Sequence, residues 1–195
     1  MTRRGKPVIK PFVPSLSDLP DAVLARRAAL RDHAAFGVIV DRHGPALYRY
    51  SYRMLQHHSD TQDCLQDVMV AAWRGLPAFR GDAALRTWLF ALTINQVRTF
   101  LRRRPPSTLP VDSLQIAAPG RFDPEQQALA ADLLSALDRA LRELPLSQRS
   151  TWLLVEIEGL SYADVADIRH TTIDAVRGQL HRARHSLETK LEGWR

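Results

Sequence analysis

The sequence contains one cysteine, Cys64, so no internal disulfide is available and no paired-cysteine zinc framework exists. A reducing, cytoplasmic setting is the expectation. The nine glycines stand apart from one another, which removes the Gly-rich loops that cradle phosphates in nucleotide enzymes. No Ser-His-Asp order or paired catalytic carboxylates stand out either, so neither an enzyme nor a cofactor is expected. Long apolar runs are missing too. The longest largely apolar stretch, Trp88 to Ile94, falls far short of the roughly 20 residues that span a bilayer. At the N-terminus Arg3, Arg4 and Lys6 are basic, but Pro7, Pro11 and Pro14 interrupt any signal-peptide core. Neither membrane insertion nor export is expected. No β-type alternation appears, which points to an all-α fold.

Acidic residues are in the minority. Against 21 Asp and Glu stand 27 Lys and Arg, mostly arginine, for a net charge of +6 and an isoelectric point near 10.1. Arginine suits phosphate and base-edge contacts, so nucleic acid leads as a partner class. Apolar residues make up 45% of the chain, enough for packed cores in 195 residues arranged as one medium or two small domains.

Proline marks the organisation. Residues 1–20, with Pro7, Pro11, Pro14 and Pro20, are expected to form an extended or disordered tail. Three-and-four spacing of Leu65, Val68, Met69, Ala72 and Trp73 places a first helical domain at 21–104. Five prolines between Pro105 and Pro124 make 105–124 a flexible linker. A second domain then covers 125–195, with helices expected at about 125–143, 147–158, 161–168 and 172–191.

The last two helices have the grammar of a helix-turn-helix. Gly159 closes one helix, Ser161 with Asp164 opens the next, and Thr171 with Asp174 repeats the opening signal. In the final helix Val176, Leu180, Ala183 and Leu187 make an apolar stripe, leaving Arg177, Gly178, His181 and Arg184 or His185 on the other side. That face suits the major groove; a merely solvated basic face is the competing reading. A second basic strip, Asn95, Arg98, Thr99 and Arg102, runs along the segment TWLFALTINQVRTFLRRR and is extended by Arg103 and Arg104. Phe79 and Trp88 beside it could stack on unpaired bases or lie in the core. In DTQDCLQDVMVAAW, Asp63, Gln66, Asp67 and Val70 share the face opposite the apolar stripe, serving either solubility or docking to a basic partner. His57, His58, Asp60, Asp63 and Cys64 match no recognised metal framework.

Together these segments resemble the extracytoplasmic function (ECF) group of bacterial sigma factors over roughly Phe36 to Leu191. DCLQDV resembles the helix by which that family docks on the largest subunits of core RNA polymerase, which implies this role for Asp63, Gln66 and Asp67. FRGDAALRTWLFALTIN resembles the loop and helix that melt the proximal promoter element and capture a flipped base. By that likeness Arg80, Trp88, Asn95, Arg98 and Arg102 contact or support the non-template strand. LRELPLSQRSTWLLVEIEGLSYADVA with VRGQLHRAR resembles the family's C-terminal domain, which reads the distal element as duplex, and Arg177, Gly178, His181 and Arg182 match its reading positions. The chain departs from the family pattern at Ile94 (usually arginine), Thr99 (usually aspartate), His170 (usually glycine) and Gln179 (usually basic).

The resemblance implies a cytoplasmic, non-enzymatic transcription initiation factor. Its partners would be core RNA polymerase, promoter DNA and an anti-sigma protein, often membrane-linked. The domain at 21–104 would be sigma region 2-like and that at 125–195 region 4-like. A stand-alone helix-turn-helix regulator is the alternative, and the role of the acidic helix separates the two.

Overall fold

A short capped turn starts the described chain. In the computed structural model the described residues are 15–103 and 124–192, with the side chains of 124–131 set aside. The expected linker at 105–124 lies almost wholly outside this range. The tail expected over 1–20 ends sooner than its prolines suggest, because Leu16–Asp18 forms a 3-10 turn capped reciprocally by Ser15 and Asp18. Arg42 then holds the segment by donating to the carbonyls of Ser17 and Leu19 at 2.8 and 3.0 Å.

Four helices follow: α1 (Asp21–Ala29), α2 (His33–Leu55), α3 (His58–Gly75) and α4 (Leu85–Arg103). Asp32 accepts the Ala35 amide at 3.1 Å to open α2, and His57 Nδ1 accepts the Asp60 amide at 3.2 Å to open α3. Orphan amides at helix starts thereby find acceptors. The central α2 packs on α1, α3 and α4. Leu24, Ile39, Leu47, Leu55, Val68, Leu89, Phe90 and Ile94 are almost wholly removed from water. Each such side chain contributes about 1.5–3 kcal/mol from burial alone.

The second unit comprises α5 (Pro124–Glu143), α6 (Leu146–Trp152), α7 (Tyr162–Arg169) and α8 (Ile173–Leu191). The helix expected over 147–158 runs unbroken from Leu146 to Ile157, but its hydrogen-bond pattern changes on the way. After Trp152 the backbone widens into a π-helical turn at Leu153–Ile157, where the Glu158 amide reaches back to the Leu153 carbonyl at 3.0 Å. Such wide turns often sit at functional positions. Here it ends beside Glu158, a carboxylate buried against the first unit. Leu141, Leu153, Leu154, Val165, Val176 and Ala183 form the core of this half, and buried contacts continue into the first.

Candidate core-docking and nucleic-acid surfaces

Helix α3 carries the acidic face. Val68 and Ala72 are fully buried, and Leu65, Met69 and Trp73 pack against the same core. Asp63, Gln66 and Asp67 therefore emerge together on the opposite side, all exposed, with Val70 43% exposed among them. Among the described residues nothing forms an ion pair with Asp63 or Asp67. The neighbouring His and Cys residues have other tasks. His57 caps the helix, His58 Nδ1 meets the Tyr48 hydroxyl at 2.7 Å, and Cys64 is buried, which pushes its thiol up to about 12. No three His, Cys, Asp or Glu side chains gather around a common point among the described residues.

Helix α4 buries Leu85, Leu89, Phe90, Ile94 and Val97. Ile94, standing where the resemblance would place arginine, belongs to the core. Asn95, Arg98 and Arg102 are exposed along one strip, with Arg102 donating to the Thr99 hydroxyl at 3.2 Å. Arg80 sits before the helix, paired with Asp82 at 2.8 Å across Gly81, which adopts φ +80°. Both partners are open to water, so this pair holds Arg80 only weakly. Trp88 is half-buried and leans on Phe79 with ring centroids 5.1 Å apart. A Cβ at Gly75 would stand 3.0 Å from the Trp88 ring, so glycine makes room for the indole. The two aromatics thus form a packed pair beside the strip.

The helix-turn-helix is formed by α7 and α8. Ser161 caps α7 by accepting the Asp164 amide at 3.0 Å, following Gly159 at φ +64°. His170 takes φ 53° and ψ 54° at the turn, where glycine carries no Cβ penalty. The cap of α8 differs from expectation: Thr172, not Thr171, accepts the Ala175 amide at 3.1 Å. The reason is local. Thr171 donates its own amide to the Ala166 carbonyl at 2.9 Å, closing the end of α7, so the next threonine opens α8.

Val176, Leu180, Ala183 and Leu187 are all buried, and Arg177, His181 and Arg182 are exposed. Among the described residues Arg177 makes only an exposed pair, with Asp174 at 3.1 Å. Arg184 is committed to Glu156 through a pair at 2.5 Å. Gly178 leaves the helix surface low, with the Arg182 guanidinium 3.4 Å from where its Cβ would be. Gln179 is a structural residue that sequence reasoning treated only as a departure. Its side-chain oxygen accepts from Arg169 at 2.7 Å and lies 2.7 Å from the Thr151 hydroxyl. Arg149, from the LP-x-x-x-R segment, is buried and donates to the carbonyls of Arg53, Arg142 and Leu144.

Known proteins match in the same two blocks. The model of Sigma-70 region 2 fits residues 39–105, and that of Sigma-70, region 4 fits 134–187. The ECF RNA polymerase sigma-E factor of Escherichia coli K12 is 31% identical over 184 residues, covering 89% of this chain and 95% of its own length. The RNA polymerase sigma factor NccH of Alcaligenes xylosoxydans is 32% identical over 179 residues, covering 88% and 95%. Among solved structures, CnrH in complex with the cytosolic domain of CnrY superposes with a TM-score of 0.68 at 30% identity, over 89% of this chain and 97% of that one. The sigma factor RpoE from Bartonella quintana, solved with the anti-sigma factor NepR, shares the fold with a TM-score of 0.69 at 24% identity, over 80% and 96%. The two helical units stand in the order of the two matched regions, and the chain belongs to the ECF group of RNA polymerase sigma factors, the subunits that direct polymerase to promoters.

Proposed function

We propose that this sigma factor divides its work among three surfaces. The observation that carries the reading is the isolation of Asp63, Gln66 and Asp67 on an exposed face of α3, without an ion-pairing partner among the described residues. An unneutralised acidic face on a protein of net charge +6 is suited to a basic partner, and in this family that partner is core polymerase. The region 2-like unit, 21–104, would dock by this face. It would hold the non-template strand of the proximal element through Arg80, Trp88, Asn95, Arg98 and Arg102, with phosphates attracted to the arginines of α4. The region 4-like unit, 125–195, would read the distal element as duplex through Arg177, Gly178, His181 and Arg182. Melting on this account is differential binding: bases leaving the stack cost a few kcal/mol, which contacts to the open strand offset. No bond is made or broken, so the factor works without catalysis or cofactor.

Regulation by an anti-sigma protein fits the same reading. CnrH, 30% identical, was solved with the cytosolic domain of CnrY. That pairing supports a cytoplasmic factor held by an anti-sigma partner, in some cases one linked to the membrane. No described helix is long and apolar enough to cross a membrane.

The test is gel filtration of the full chain with sigma-free core polymerase, alongside the triple variant Asp63→Ala, Gln66→Ala, Asp67→Ala. Wild type is expected to co-elute with polymerase and the folded variant to elute alone. Equal co-elution of both would remove α3 from the docking surface. A wild type that elutes alone would favour the stand-alone regulator.

A further inference from the structure

Where α2 and α4 of the first unit meet α6 and α7 of the second, the packing leaves a cavity of about 440 Å³. Its inner wall is apolar, made by Met54, Ile94 and Val97, all buried. Tyr50 and Ser150, joined by a 2.8 Å hydrogen bond between Oη and Oγ, also line it. Three arginines complete the lining: Arg98 and Arg102, one turn apart on α4, and Arg169 from the end of α7. Among the described residues no aspartate or glutamate lines it.

The three cations lack counter-charge. Among the described residues none of them ion-pairs with a carboxylate. Arg102 donates to a neutral hydroxyl, that of Thr99. Arg169 is half-buried and spends Nη1 on the Ser147 carbonyl at 3.0 Å, the Gln179 side-chain oxygen at 2.7 Å and the Thr151 hydroxyl. Its Nε is buried without a hydrogen-bond partner among the described residues. Burial pulls the Arg169 guanidinium below its usual range, and the charge of Arg98 adds to that lowering. Arg49 and Arg86, by contrast, share the Glu158 carboxylate. Guanidinium groups gathered at an apolar wall without an acid are short of an anion. Arg98 and Arg102 are exposed, so a ligand reaches them directly from solvent.

We infer that this cavity is a binding site for a small amphipathic anion, a medium-chain acyl carboxylate. Its head would lie among Arg98, Arg102 and Arg169, and its tail along Met54, Ile94 and Val97. The lining selects this class. A carboxylate matches the fork of a guanidinium. A hydrocarbon tail gains about fourfold in affinity for each methylene removed from water. The volume falls within the range of about 300–1,000 Å³ typical of small-ligand sites. A free oligophosphate would leave the apolar wall unused, and a neutral lipid would leave the cations unpaired. Both units supply lining residues, so the ligand touches both. Binding of this kind needs neither polymerase nor promoter.

Titration of the isotope-labelled full chain, followed by amide chemical shifts, tests the site with octanoate, octan-1-ol and acetate as probes. Octanoate is expected to bind saturably, with shifts centred on residues 97–102 and 146–150. Octanol lacks the charge and acetate lacks the tail, so each should bind about tenfold more weakly or worse. Ser147 is exposed and lines the cavity, so a change there alters its charge without disturbing the core. Ser147→Glu, which brings a competing carboxylate to the arginines, should lower octanoate affinity by about tenfold, whereas Ser147→Gln, of similar size, should keep it within about twofold. Failure of octanoate to saturate, or shifts centred elsewhere, would overturn the site. Octanol or acetate binding as tightly as octanoate would overturn the ligand class. Equal affinity of Ser147→Glu and Ser147→Gln would take the arginines out of the recognition. Polymerase and DNA are absent throughout, so the result is independent of the promoter function proposed above.

Discussion

At the scale of single residues, several helix ends depend on side chains in backbone conformations that favour glycine. Arg31, Gln56 and His170 all have positive φ, at 67°, 56° and 53°. For His170 the cost is plain, since a Cβ in the left-handed region crowds the following carbonyl by roughly 1–2 kcal/mol. His170→Gly is therefore expected to stabilise the protein by about 0.5–1 kcal/mol after the greater entropy of unfolded glycine is included. Urea denaturation followed by circular dichroism measures this, and an unchanged or lowered midpoint would contradict it. The left-handed turn was legible in the sequence because the position in a helix-turn-helix demands it. Arg31 and Gln56 were not legible, because neither residue type signals such a turn. Arg31 is held by contacts made far along the chain, its guanidinium donating to the Trp73 carbonyl at 3.3 Å and lying over the Trp73 ring.

At the scale of elements, periodicity gave a good account of buried faces and a poorer one of helix ends. Val176, Leu180, Ala183 and Leu187 recur at three-and-four spacing, and only one face of α8 meets the core, so their burial could be read directly. The cap could not, because two adjacent threonines, Thr171 and Thr172, offer the same hydroxyl. The choice was made by the amide of Thr171, already used to close α7. Thr172→Ala should accordingly cost about 1 kcal/mol in urea unfolding, and Thr171→Ala only a few tenths. The reverse order would return the cap to Thr171. The π-helical turn after Trp152 was equally hidden. Its extra width accompanies the burial of Glu158 under Arg86, a contact that joins residues 72 positions apart. Burial also raises the Glu158 carboxyl above its usual range, with Arg49 and Arg86 opposing the shift. Gln179, a departure when judged by family pattern, is the acceptor that Arg169 uses inside the motif.

At the scale of the whole molecule, composition and proline placement conveyed two helical units and a basic partner, and the family resemblance assigned their tasks. The packing of one unit on the other had no signature in the sequence. Tyr50 and Ser150 are 100 residues apart, and nothing in a tyrosine on α2 or a serine on α6 announces that they meet. Surfaces show a similar division. The exposure of Asp63, Gln66, Asp67, Arg177 and His181 follows from the helical stripe behind each, whereas the pairing of Trp88 with Phe79 required Gly75 to leave space on a neighbouring helix. The central claim is that this chain confers promoter choice on polymerase through both units. In vitro transcription of genomic fragments, with start sites mapped, tests it most directly using core polymerase with wild type or Arg177→Ala. Wild type should produce starts absent with core alone, preceded by a shared distal and proximal element. The Arg177→Ala factor should relax the distal element by about 1–3 kcal/mol of discrimination at one position while leaving the proximal element unchanged. Starts identical to those of core polymerase alone would contradict the account.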